Sequence, residues 1–301
     1  MNKTTSYDNY AISNFRDCPR KFYYRIERQL VKVGSKALAP EFGTALHIAL
    51  ETYYANNMTE ASKEQSLLDF VGYYGPIYVA SNGAEIDDKR TPEKGLDLLL
   101  RYYSHYGIEP FEPIATEVGG VIELRRDLLY TTRIDLAAQW LSPPGVYGFD
   151  HKSTSVMDGI MVKPNNQFTG YISTLMETYE NVLGFQMNLI GVFKTDKQKD
   201  RYTGKMEPRE IFQRISTTRT SKEIAMWKCE ILQTVDLIDS CRDMGVWPRW
   251  DKCQPYRNAR CPYHDLCITQ DDEMIERLIE LGAYQVEEWS AYKNDNDTEV
   301  I

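Results

Sequence analysis

Long hydrophobic runs are missing from this sequence. The longest mostly apolar stretch, residues 182–193, is twelve residues long and contains Gln186 and Asn188, too short and too polar for a membrane span. Cysteine is scarce as well: six in 301 residues exclude a disulfide-dense scaffold. The opening MNKTTSYDNY has no apolar core of the kind that marks a secretion signal. A reducing, cytoplasmic setting is therefore expected, a virus-encoded protein included, with cysteines present as free thiols or metal ligands. No Walker A loop exists, because Gly204–Lys205 lacks the preceding glycine at loop spacing and the following Ser or Thr. Internal repeats and low-complexity segments are absent too. Positive charge is in deficit, with a net charge of −9, which taken alone argues against a polyanionic partner.

The distribution of that charge reverses the argument. Residues 1–40 carry eight Lys and Arg, among them Arg16, Arg20 and Lys21, against three acids. Residues 194–228 carry ten basic side chains against five acidic ones. The segment 271–301 holds ten acids against Arg277 and Lys293, so nearly all of the excess negative charge lies there. A nearly neutral body thus carries two basic stretches and ends in an acidic helix and tail.

Hydrophobic period divides the chain into regimes. Residues 8–56 read as helices, with Tyr10, Phe15, Phe22, Tyr23 and Ile26 at helical spacing and a second helix in FGTALHIALETYY. Residues 57–113 read as a further helical insertion. Between 114 and 152 the period changes to that of three strands, the last two joined tightly at SPPG, residues 142–145. A helix near 166–180, a strand at 182–193, an edge strand FQRISTT and a long amphipathic helix, residues 221–244, follow. Cys253–Cys267 reads as an irregular loop and 271–289 as a surface helix. The order predicts an α/β fold with a small mixed central sheet flanked by helices, in one domain over 1–270 with its core near 110–195.

The chemistry-bearing residues fall on these elements in order. Strand period two sets Asp150 and Lys152 on one face of YGFDHKST, with His151 on the other. A tight turn brings Asp135, in TTRIDLA, beside Asp150. Two such carboxylates need a cation between them, and a hard dication such as Mg²⁺ or Mn²⁺ takes oxygen ligands of this kind. Lys152 is placed to offset charge on a phosphate. His47 and Glu51 share a helix face, so that His47 is a further candidate metal ligand. Gln167 and Tyr171, also four apart, form a polar patch with an aromatic ring for stacking.

This ordered set resembles the PD-(D/E)xK nuclease superfamily, in its RecB-like branch. The helix histidine corresponds to His47, the first acid to Asp135, the D-x-K motif to Asp150–His151–Lys152 and the Q-x-x-x-Y helix to Gln167–Tyr171. The resemblance departs at His151, where an aromatic or apolar residue is common, and at Thr131–Thr132, where a glycine is common. It implies a restriction-endonuclease-like core and metal-dependent hydrolysis of DNA. His47, Asp135, Asp150 and the His151 carbonyl would hold Mg²⁺ or Mn²⁺. Lys152 would stand by the attacking water, and Gln167 and Tyr171 would position the strand. Arg16, Arg20 and Lys21 would track the DNA backbone. A single-strand or end-directed exonuclease of 5′-to-3′ polarity is the implied activity, with unwinding left to a helicase or recombination partner. The alternatives are an endonuclease of the same family, or a DNA-binding or assembly subunit that uses the fold as a scaffold.

Three cysteines, Cys253, Cys261 and Cys267, crowd one short segment, and Cys18 is the candidate fourth ligand. A four-cysteine site suits zinc or a [4Fe–4S] cluster, and spacing does not choose between them. RecB-like nucleases of the AddB type and of CRISPR adaptation carry one cysteine before the core and three after it on a [4Fe–4S] cluster. The resemblance therefore favours the cluster over zinc. Cys229 and Cys241, on the amphipathic helix, read as packed small hydrophobes.

Overall fold

The structure, a computed structural model, describes residues 5–34, 38–82, 89–199, 203–250, 253, 260–269 and 271–290. Two compact units partition the chain: residues 1–35, 120–132 and 221–299, and residues 36–119, 133–220 and 300–301. The sheet is mixed, with strands in the order β1-β4-β5-β6-β9 and β3 also paired to β4. These are β1 Thr5–Tyr7, β3 Phe111–Arg125, β4 Leu128–Leu141, β5 Pro144–Thr154, β6 Val182–Gly191 and β9 Phe212–Thr217. Helices flank it, as expected from the order of hydrophobic periods. Among the described residues no helix is long and apolar enough to cross a membrane.

In the second unit, three helices, α3 Leu38–Ala55, α4 Glu60–Ala80 and α5 Pro92–His105, form the insertion and its neighbour. Their apolar faces bury Phe42, Leu46, Tyr54, Phe70, Tyr74 and Tyr102 against Leu136, Phe149, Ile190 and Phe212 of the sheet. Strands β4 and β5 pair antiparallel from Leu141↔Pro144 to Leu136↔Phe149, so Asp135 and Asp150 stand next in line. β5 and β6 are parallel, with Asp150↔Met187 and Lys152↔Leu189. The crossover between them is α6, Asn166–Thr178, whose N-cap Asn165 accepts the Phe168 N–H at 3.1 Å. A Cβ on Gly148 would meet Leu175 of α6 at 2.7 Å, so α6 covers the β5 face that also carries Asp150 and Lys152. Beyond β6 a hairpin of β7 Lys197–Lys199 and β8 Met206–Pro208 carries Lys197 and Lys199 on one exposed face, with Glu207 on the other.

In the first unit, α1 Asn9–Asp17 and α2 Pro19–Phe22 lead into a π-helical turn, Tyr23–Glu27. The long helix α7, Ser221–Met244, has the bounds that its periodicity predicts. Tyr7, Phe15, Phe22, Trp227, Ile231 and Trp247 make the core of this unit. The C-terminal reading needs correction. The surface helix expected over 271–289 is a shorter one, Asp272–Glu280. Leu281 caps it and Gly282 turns the chain at φ +73°. The next residues form β10, Tyr284–Val286, antiparallel to β2, Leu30–Lys32. Cys267 lies on a short helix, α8 His264–Thr269, rather than in irregular chain, and α9 denotes Asp272–Glu280. Residues 254–259 of the cysteine segment and the tail 291–301 lie outside the described residues.

Candidate metal centre and active site

Close approach of helix and strand creates the site. Gly43 sits one turn before His47 on α3, and a Cβ there would meet Ser153 Oγ of β5 at 3.1 Å. With no side chain at 43, α3 comes close enough for His47 Nδ1 to stand 3.4 Å from Asp135 Oδ2. The backbone N–H of His151 donates to the same oxygen at 2.6 Å. Lys152 Nζ lies 3.1 Å from Asp150 Oδ2, with the lysine half-exposed and the aspartate buried.

Glu117, on β3, was not a candidate on sequence grounds, yet it completes the site. Donor atoms of His47, Glu117 and Asp135 lie within 4.8 Å of one another, the one such group of His, Cys, Asp and Glu among the described residues. Opposed ligands of a cation with bonds of 2.1–2.3 Å stand roughly 4.2–4.6 Å apart, so the spacing fits a divalent ion. Glu117 has φ +49° in the middle of its strand. A non-glycine residue in that region departs from regular strand geometry and re-aims its side chain, which strand period cannot foresee. The signal available in the sequence was an acid amid the apolar alternation of the strand beside the one carrying Asp135.

The electrostatics of these groups favour a cation among them. Burial, and then the Asp135 charge, push Glu117 up to about 7 although Arg133 pairs with it at 3.0 Å. Burial opposes charge on His47, but Asp135 and Asp150 outweigh it and raise the imidazole to about 9. Burial and the neighbouring Asp135 carboxylate raise Asp150. Asp135 is held low because His47 and the His151 N–H overcome its burial. Lys152 is raised, since Asp150 and Asp135 offset burial, and so stays charged. His151, fully buried, is held down to about 3. Carboxylates forced together and relieved by protons are groups that a dication can bind in place of those protons. The donors present therefore fit Mg²⁺ or Mn²⁺.

Gln167 and Tyr171 do meet: Gln167 Nε2 donates to Tyr171 Oη at 2.7 Å. Tyr171 is pinned against Phe185 of β6, with ring centres 5.0 Å apart. Because α6 returns between two parallel strands, its Gln167 end runs toward the end of β5 where Lys152 lies.

The three N-terminal basic candidates sit in the first unit and are engaged there. Arg16 donates to Thr234 Oγ1 and to the Glu230 carbonyl, both at 3.0–3.1 Å. Arg20 donates to the Trp247 carbonyl at 2.9 Å, and Lys21 pairs with Asp17 at 3.2 Å.

The cysteines converge in that same unit. Tyr24 Oη donates to the Leu266 carbonyl, and Tyr263 Oη donates to the Leu30 carbonyl at 2.7 Å, which ties the N-terminal helices to the cysteine segment. Cys261 N–H donates to the Cys253 carbonyl at 2.9 Å. No disulfide joins the six cysteines. Burial raises the Cys267 thiol to about 11, and Cys261, Cys18 and Cys253 each add to the rise. Cys261 is raised by burial and then by Cys18 and Cys253. Cys18 and Cys253 thus act on both Cys261 and Cys267, which puts the four cysteines in one neighbourhood.

A family model for the PD-(D/E)XK nuclease superfamily matches residues 10–268. The chain belongs to this superfamily, whose members are phosphodiester hydrolases that use divalent metals such as Mg²⁺ or Mn²⁺. Among solved structures it is similar to "Putative exonuclease" from Eubacterium rectale, at 12% identity and a TM-score of 0.41, over 86% of this chain and 91% of that one. No curated protein matches it.

Proposed function

We propose that this protein is a metal-dependent DNA nuclease, acting on single strands or ends with 5′-to-3′ polarity favoured. The observation that carries the reading is the meeting of His47, Glu117 and Asp135 donors beside the Asp150–Lys152 pair. His47, Glu117 and Asp135 would hold Mg²⁺ or Mn²⁺, with Asp150 and the His151 carbonyl as further donors. The ion would supply Lewis-acid activation of the scissile phosphate. Lys152, kept charged by two carboxylates, places a cation where phosphate charge develops. The Gln167 amide and the Tyr171 ring orient the strand. The exposed Lys197–Lys199 face of the β7–β8 hairpin offers phosphate contacts to the flanking backbone. Lacking a nucleotide-binding loop, the chain would take DNA already unpaired or opened by a helicase or recombination partner.

The four-cysteine neighbourhood supports the second element of the reading, a [4Fe–4S] cluster on Cys18, Cys253, Cys261 and Cys267, with zinc the alternative.

A time course on end-labelled single-stranded, double-stranded and circular DNA, with Mn²⁺ or Mg²⁺ and an EDTA control, tests the activity and its polarity. Lys152→Ala is expected to abolish cleavage and leave DNA binding by the folded protein intact. Cleavage by that variant at the parent rate would refute the assignment.

A further inference from the structure

His151, between the two residues of the D-x-K motif, turns its side chain away from them into a buried polar chain. Its Nδ1 lies 2.8 Å from Asn188 Nδ2. Asn188 Nδ2 also donates to Tyr102 Oη at 2.8 Å, and Tyr102 Oη lies 2.7 Å from Tyr54 Oη. Tyr54 donates to Glu109 Oε1 at 3.0 Å. Arg214 closes the chain, giving both terminal nitrogens to the Glu109 carboxylate at 2.6 and 2.7 Å and its Nε to Asn188 Oδ1 at 3.5 Å. Tyr54 stacks on the His151 ring at 5.8 Å and 6°, and the His47 ring meets it edge-on at 6.1 Å.

The direction of every bond follows from the ends. A guanidinium only donates, so Asn188 presents Oδ1 to Arg214 and its NH₂ to His151 and Tyr102. The Tyr54 O–H is committed to Glu109, so Tyr102 donates to Tyr54. His151 Nδ1 must then accept, and the ring proton sits on Nε2. Glu109 and Arg214 therefore specify the orientation of the imidazole, Glu109 through Tyr54, Tyr102 and Asn188 and Arg214 through Asn188 alone.

The same residue's backbone N–H holds Asp135 Oδ2 at 2.6 Å, and Asp135 is one of the three cation donors. We propose that His151 is a positioning residue for the cation site: anchored to Asn188, it fixes the peptide whose N–H holds the Asp135 carboxylate toward His47 and Glu117. This rests on the functional reading above and adds a control on metal affinity that sits on the opposite face of β5 from Asp150 and Lys152. Groups that orient metal ligands typically contribute 10–100-fold to affinity.

Mn²⁺ binding to the full chain, measured by calorimetry, tests it alongside circular dichroism, metal-free melting and nuclease rate. His151→Leu, which removes the acceptor, is expected to weaken Mn²⁺ binding about tenfold or more. His151→Asn, which returns an acceptor oxygen near the Nδ1 position, is expected to restore affinity to within about threefold of the parent. Tyr102→Phe deletes one oxygen from the chain while keeping the ring, and should weaken binding by roughly two- to fivefold. A role in folding alone would lower the melting temperature and leave the Kd of the folded fraction unchanged. Parent-like Mn²⁺ affinity in folded His151→Leu overturns the proposal; should that variant not fold, parent-like affinity in Tyr102→Phe does so. A parent that binds Mn²⁺ without cutting DNA defeats the functional reading instead.

Discussion

Glu117 shows what one residue's charge does to both stability and function. Its folded pKa of about 7 stands above its ordinary value of 4.5. Between those values the folded, metal-free chain holds a proton that the unfolded chain has released. The stability from Glu117 is therefore fully present below about pH 4.5 and is lost as pH rises through about 7. Glu117→Gln keeps the shape and cannot ionise. It is expected to stabilise the metal-free protein at pH 8 by on the order of 1–3 kcal/mol, less what Arg133 loses as a partner. At pH 4 the gain should vanish. The same change should weaken Mn²⁺ binding about tenfold or more, since a carboxylate donor is gone. Thermal melts in EDTA at the two pH values, with calorimetry, read both effects. An equal gain at both pH values, or unchanged Mn²⁺ affinity, would remove Glu117 from the site.

At the scale of elements, geometry comes from close approach rather than from any one side chain. α3 delivers His47 because Gly43, on the same face one turn earlier, lets the helix ride against the end of β5. Gly43→Leu would have to displace Ser153 or the helix itself. A shift of about 1 Å at a catalytic constellation can cost 10²-fold in rate, so a loss of at least about tenfold in kcat is expected, with far-UV circular dichroism preserved. Parent-like kcat in that variant would show that α3 does not set the His47–Asp135 distance.

Elements were legible in the sequence where local pattern decides them. The 24 residues of α7 have the predicted bounds, and the three strands bearing Glu117, Asp135 and the D-x-K motif stand where their alternation put them. The i, i+4 pair Gln167–Tyr171 is hydrogen-bonded as helix geometry requires. What escaped is non-local. β1, β2 and β10 are three residues each and acquire meaning only from partners such as Leu128–Tyr130 or one another. Glu117 escaped because a positive φ, not strand period, aims it.

On the scale of the molecule, total charge hides a pairing of the chain's two ends. Arg25 and Arg28 from the basic start pair with Glu287 and Glu276 of the acidic end, and Lys32 pairs with Asp265 just before it, at 2.6–3.3 Å. These pairs are partly exposed, so each contributes at most about 1 kcal/mol and weakens with salt. Surface ion pairs are a weak closure beside the β2–β10 pairing and the buried Tyr24 and Tyr263 hydrogen bonds that join the same two segments. Ligation of one metal group by Cys18, Cys253, Cys261 and Cys267 would be a strong one, because binding free energy then counts toward folding. If a [4Fe–4S] cluster is the staple, anaerobically purified protein is brown, with broad absorption near about 400 nm and about four irons per chain. Cys18→Ser, remote in sequence from the other three ligands, should lose that absorption and melt at least about 5 °C lower. Absorption and melting both unchanged in Cys18→Ser would detach Cys18 from the site. A colourless parent with one zinc per chain would keep the staple and replace the cluster, since four thiolates also satisfy tetrahedral zinc.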